Sequence, residues 1–168
     1  MCLAACSLTG VAQGTTDEQL AAHYYREGDF EKALLYYEKL YEKSGNEEDY
    51  EYFLSSLLAV ENYKDAERLA ERHSKAHPAV YRYKVDIGRV LLRAGEEDKA
   101  NKEFDHIIKD LNKASVNQIL DVGRAFSELN DNDRALEAYY QGRKIMGNSY
   151  PFNFQIAQVL GQKGDIEG

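Results

Sequence analysis

The sequence predicts an all-α fold, a solenoid of stacked antiparallel helix pairs, on three observations. First, four alanines recur in nearly the same surroundings, Phe30-Glu31-Lys32-Ala33, Tyr63-Lys64-Asp65-Ala66, Glu97-Asp98-Lys99-Ala100 and Asn132-Asp133-Arg134-Ala135, spaced 33, 34 and 35 residues apart. A fixed period of this size is the signature of a helical repeat, in which each unit buries its apolar face only by stacking on its neighbours. Second, turn-forming pairs stand in the same frame, at Gly28-Asp29, Glu61-Asn62, Gly95-Glu96, Asn130-Asp131 and Gly164-Asp165. Third, the 168 residues hold 2 Pro against 12 Gly, with 43% hydrophobic and 30% charged side chains. That is the composition of a folded, helix-compatible chain rather than a disordered one.

The elements follow from these marks in chain order. Helices are expected at 17–27, 30–43, 47–60, 63–76, 80–94, 97–111, 115–129, 132–146 and 151–163. Gly or Asn at each turn can adopt the left-handed conformation that ends a helix, and the Asp or Asn after it can cap the next. Pro151 suits a first helical turn, where its missing N–H costs nothing. Small residues, Gly88, Gly123, Ala33, Ala66, Ala100 and Ala135, let paired helices approach closely, while Leu20, Tyr24, Phe53, Leu57, Leu91, Phe104, Phe126 and Tyr139 fill the space beside them. The chain stops where the second helix of a fifth pair is due, so the sequence reads as a piece of a longer protein.

In this frame Ile87-Gly88-x2-Leu91 with Ala100-x3-Phe104, and Val122-Gly123-x2-Phe126 with Ala135-x3-Tyr139, follow the tetratricopeptide pattern. Leu20-Ala21-x2-Tyr24 with Ala33-x3-Tyr37, and Tyr50-x2-Phe53-Leu54-x2-Leu57 with Ala66-x3-Ala70 and Pro78, supply two further repeats. The chain therefore resembles the tetratricopeptide repeat (TPR) family over residues 14–168, with repeats at about 14–46, 47–80, 81–115 and 116–149 and a partial one at 150–168. No repeat carries the family's Trp. The resemblance implies a right-handed superhelix that binds a protein or an extended peptide, or scaffolds an assembly, with the first helix of each pair lining a concave groove. The groove-facing positions land on Tyr25 and Arg26, Tyr52 and Ser55, Asp86, Arg89 and Arg93, Asp121 and Arg124, and Gln155 and Gln158. Arg89, Arg93 and Arg124 would form a cationic strip suited to an acidic peptide, or else pair within their own helices with Asp86 and Asp121. The alternative reading is a structural spacer for a domain further along the chain, with no ligand of its own.

Other function classes find little support. With 21 Lys+Arg against 29 Asp+Glu, a net charge of −8 disfavours nucleic acid and anionic membrane surfaces. No apolar run reaches the ~20 residues of a membrane span. There is no phosphate-binding glycine loop, nucleophile elbow or zinc-protease His pair, so no enzyme, catalytic residue, cofactor or metal is expected. The acidic clusters Glu47-Glu48-Asp49, Glu96-Glu97-Asp98 and Asp131-Asn132-Asp133 sit at helix starts, where they favour the helix dipole. His73 and His77 have metal-ligand spacing but no third ligand, and are expected to be a solvated or capping pair.

Both cysteines, Cys2 and Cys6, fall in an uncharged leader, residues 1–13. Leu3-Ala4-Ala5-Cys6 resembles a lipoprotein box, which would make Cys6 a lipid anchor, and Val11-Ala12-Gln13 before Gly14 resembles a signal-peptidase site. The leader lacks a positive start and a long apolar core. The expected location is the cell envelope, periplasmic or lipid-anchored, the alternative being a cytoplasmic protein with a frayed N-terminus.

If the repeat frame is correct, Ala100→Leu forces extra volume into a close helix contact. It should destabilise the fold by ~1–3 kcal/mol, read as a lowered melting temperature in circular dichroism.

Overall fold

The computed structural model describes residues 14–147 and 150–164. Among them are nine α-helices and no strand: α1 Gly14–Arg26, α2 Phe30–Ser44, α3 Glu47–Ala59, α4 Tyr63–Ala76, α5 Arg82–Arg93, α6 Glu97–Asp110, α7 Val116–Glu128, α8 Asn132–Ile145 and α9 Asn153–Lys163. Within each unit most consecutive helices pack in antiparallel fashion, the architecture of a TPR-like α-solenoid. The chain divides into two compact units at Asn62–Tyr63, within the second repeat. In the first, α2 packs on both α1 and α3. In the second, α4 packs on α5, α5 on α6 and α7, α7 on α8, and α8 on α9.

Most helix ends are set by the turn residues. Asp29, Asn46 and Asp131 accept hydrogen bonds from the backbone N–H of Lys32, Asp49 and Arg134, each satisfying a donor that the helix leaves open. Ser115 and Gln118 form a reciprocal capping box at α7. At the second turn the left-handed residue is Glu61, with φ 58°, in the place that Gly28, Gly95 and Asn130 hold at theirs. The Asn62 N–H donates to the Leu57 carbonyl at 2.9 Å, as the Asp29 N–H does to Tyr24. Pro151 lies outside its expected helix. It belongs to a separate 3₁₀ turn, Tyr150–Phe152, which drives the fully buried Phe152 inward before α9 begins.

All six small residues of the repeat frame are buried. In the second unit they explain how close the helices come. Gly88 lies beneath the Phe104 ring and Gly123 beneath the Tyr139 ring, and a Cβ on either would overlap that ring. A third contact of this kind was not legible in the pattern: a Cβ on Gly142 would stand 2.6 Å from the Phe152 ring. Phe104 is held on its other sides as well. It meets Phe126 edge-on at 5.2 Å, and the Arg134 guanidinium covers it at 5.1 Å. Arg134 is fixed in turn by Asp131 at 2.7 Å and by Asn101 and Asp105 of α6, so one cation ties α6 to α8. Arg82 reaches from α5 to Glu128 of α7 at 3.1 Å, and Lys163 from α9 to Asp133 of α8 at 2.5 Å. Such exposed pairs orient the helices more than they stabilise them.

Because Phe104 is boxed in, it cannot move aside for a new methyl group. Gly88→Ala should therefore cost ~1–3 kcal/mol despite the gain in helix propensity. Phe104→Leu in the same chain should recover part of that loss, and urea melts of the single and double variants would measure the coupling.

Candidate functional site

The groove positions predicted from sequence separate into three environments. In the first unit, Tyr25 joins an aromatic cluster. It meets Phe30, Tyr37 and Tyr52 edge-on at 5.3, 5.9 and 5.0 Å, and Tyr52 stacks on Tyr37 at 4.8 Å with 14° between the planes. Tyr37 is the buried floor, while Tyr52 stays 37% exposed at the surface. Arg26 turns back on its own helix, its Nε donating to the Ala22 carbonyl at 3.2 Å, and Ser55 is half-buried. Beside the cluster lies a hollow of about 360 Å³ lined by Glu18 and Ala22 of α1, Tyr37 and Leu40 of α2, Asn46, and Glu48, Asp49 and Tyr52 of α3. Burial, with Tyr52, Tyr25, Asp49 and Glu48 nearby, pushes the Tyr37 hydroxyl up to about 12, which keeps it neutral.

The cationic strip lies in the second unit, where its members are used differently. Asp86 is buried, 6% exposed, and holds the half-buried Arg89 at 3.1 Å. Arg93 is exposed at the end of α5. Arg124 is largely solvated and stands 3.6 Å from Asp121, a looser pair.

Arg124 also joins Gln155 and Gln158 around one hollow of about 310 Å³, which three of the predicted positions therefore share. Leu120 and Ser127 of α7, Tyr139 of α8, and Phe154, Val159 and Gln162 of α9 complete its lining. The Gln155 Oε1 is buried with no hydrogen-bond partner among the described residues. Phe154 is 73% exposed at the rim. The Tyr139 hydroxyl is raised above its ordinary value, burial outweighing the opposing effects of Arg124 and a hydrogen bond with Ser127. Sequence reasoning missed Phe154 and Gln162. The signal was present: Gln155, Gln158 and Gln162 recur at helical spacing along one face, with Phe154 adjacent.

The two hollows occupy equivalent places in the repeat frame. Each lies between the first helices of adjacent repeats, over a tyrosine of the intervening helix, Tyr37 or Tyr139. Their charge is opposite. Sequence reasoning placed Tyr52 at the first hollow but not Glu18, Glu48 or Asp49, because carboxylates at a helix start already have a reason to be there.

The histidine pair is split, His73 being buried and His77 exposed. His73 is buried, 1% exposed, with its ring 4.4 Å from Tyr83 and 4.5 Å from the exposed His77. It sits on the inward face of α4 and so packs as a core ring. Among the described residues no group of three or more His, Cys, Asp or Glu could hold a metal ion.

No protein-family model matches the chain, and no curated protein matches it in sequence. Solved structures do resemble it. MamA 41-end from Desulfovibrio magneticus RS-1 is 15% identical with a TM-score of 0.49, covering 95% of this chain and 90% of its own. A second MamA structure is 18% identical at a TM-score of 0.46, covering 91% and 84%. Identities this low concern the fold alone.

The expected location in the cell envelope, periplasmic or lipid-anchored, is not retained, because nothing among the described residues or the comparisons supports it. No described helix is long and apolar enough to cross a membrane. Residues 1–13, including Cys6, which carried that expectation, lie outside the described residues.

Burial, and secondarily His77 and Arg72, lowers His73 from 6.5 to about 4. Between those values the unfolded chain binds a proton that the folded chain refuses. The stabilisation is complete above pH 6.5 and should fade as pH falls towards 4, by up to ~3 kcal/mol. Urea melts at pH 7 and pH 5 should show the loss, and His73→Phe should remove most of this pH dependence.

Proposed function

We propose that the chain is a protein-interaction scaffold whose second unit seats an extended acidic peptide in the hollow between α7 and α9. The observation that carries this reading is the convergence of Arg124, Gln155 and Gln158 on one concavity. Arg124 supplies a guanidinium that can pair bidentately with a carboxylate. The buried Gln155 Oε1 can accept a peptide N–H, and the exposed Phe154 ring offers apolar contact at the rim. Most positions in such a groove shape the surface, while a few anchors carry the energy.

The spacer reading has its own support at α5. The Arg89 guanidinium is held by the buried Asp86, so this member of the strip serves its own helix. An arginine engaged by its own helix at that point favours a structural role. Arg89→Glu would also set a carboxylate against Asp86 and destabilise the fold, which makes Arg124 the cleaner probe.

Arg124→Glu with Gln158→Ala should weaken binding of a Glu-rich extended peptide by roughly ten- to a hundredfold while leaving the melting temperature nearly unchanged. Lys109→Glu, on the α6–α8 side, should bind as the parent does. Equal binding by both variants would favour the spacer. Fluorescence anisotropy with a labelled peptide provides the measurement.

A further inference from the structure

The hollow of the first unit has a composition suited to the opposite charge. Tyr37 and Tyr52 give it an aromatic wall, and Tyr25 braces Tyr52 from the side, so the exposed ring is held rather than free to swing. Glu18 approaches from α1, and Glu48 and Asp49 from α3, with no Lys or Arg in the lining. Elsewhere in the same unit Asp29 pairs with Lys32 at 2.5 Å. The three carboxylates of the hollow have no ion pair among the described residues, and only Asp49 has a hydrogen bond to its side chain, from the Ser44 hydroxyl at 2.5 Å. Lys39 and Lys43 line a neighbouring, more open hollow together with Glu18 and Asp49, whereas Glu48 belongs to the aromatic one alone.

We propose that this hollow seats an arginine side chain from a basic segment of a partner protein, its guanidinium lying against the Tyr52 ring and donating to Glu48 and Glu18. A planar guanidinium is weakly hydrated and stacks on aromatic faces while keeping its N–H fork free for carboxylates, whereas an ammonium is a strongly hydrated point charge. The braced ring beside a carboxylate therefore selects arginine over lysine. A space of about 360 Å³ admits one long side chain with part of its backbone and not a folded surface. The site is independent of the acidic-peptide hollow between α7 and α9, and the two can fail separately.

The test uses the full chain and two labelled peptides of equal length, one alternating Arg and Gly and the other alternating Lys and Gly, followed by fluorescence anisotropy. The Arg peptide should bind roughly three- to fivefold more tightly than the Lys peptide. Glu18→Gln with Glu48→Gln, both at exposed positions, should weaken the Arg peptide about tenfold or more. Tyr52→Leu should abolish the preference for Arg, and Tyr52→Phe should keep it; a matching melting curve certifies each variant as folded. Arg124→Gln should leave the Arg peptide unaffected, which separates this site from the acidic-peptide reading. Equal affinity for the two peptides, or an Arg preference that survives in Tyr52→Leu, would overturn the proposal and reduce the binding to attraction by the net charge of −8. Should Tyr52→Leu fail to fold, unchanged Arg-peptide affinity in the Glu18 and Glu48 double variant is by itself sufficient to overturn it.

Discussion

In the second unit, an aromatic ring laid across a glycine of the partner helix is the contact on which the remaining packing depends. Gly88 under Phe104 and Gly123 under Tyr139 bring paired helices together at a distance that a methyl group would prevent. That distance decides what else can touch. Phe126 reaches Phe104 edge-on, Arg134 closes over the same ring, and Tyr139 becomes the floor of the hollow containing Arg124. A close-packed core transmits such a constraint, because a displaced ring has no empty space to enter. The hollow is in this sense a consequence of the core.

Opposite charge at two equivalent places follows from the same economy. The repeat fixes a tyrosine floor and two flanking helices, and leaves the rim positions free because they face solvent. Glu18, Glu48 and Asp49 occupy one rim, and Arg124, Gln155 and Gln158 the other. A repeat scaffold can thus vary its ligand chemistry from one hollow to the next without altering its packing. The cost of rim variation is small, since exposed charges contribute little to stability, whereas variation at Gly88 or Tyr139 would be severe.

Asp86 and Arg89 show where this freedom ends. Both were legible as groove residues from their place in the frame, yet Asp86 is buried and takes Arg89 with it. A buried carboxylate must be paired, so the arginine beside it serves Asp86 first. The corresponding Asp121 and Arg124 remain exposed and are more loosely paired, which leaves the second arginine available. Identical residues at identical frame positions therefore differ in availability because of what packs around them.

The sequence by itself determined the helices, their order and the small and large positions between them. The reason is physical: helix periodicity, capping side chains and close-approach glycines are local or nearly local requirements, written within a few residues of where they act. Through its resemblance to the TPR pattern it also pointed to Tyr52, Arg124, Gln155 and Gln158, which line the two hollows. Only the tertiary structure decided that His73 is a core ring, that Pro151 belongs to a separate turn driving Phe152 onto Gly142, and that Glu18, Glu48 and Asp49 share a hollow with Tyr52. Those facts depend on side chains brought together from different helices, and burial and pairing at such points are set by the packed neighbours, which no local pattern encodes.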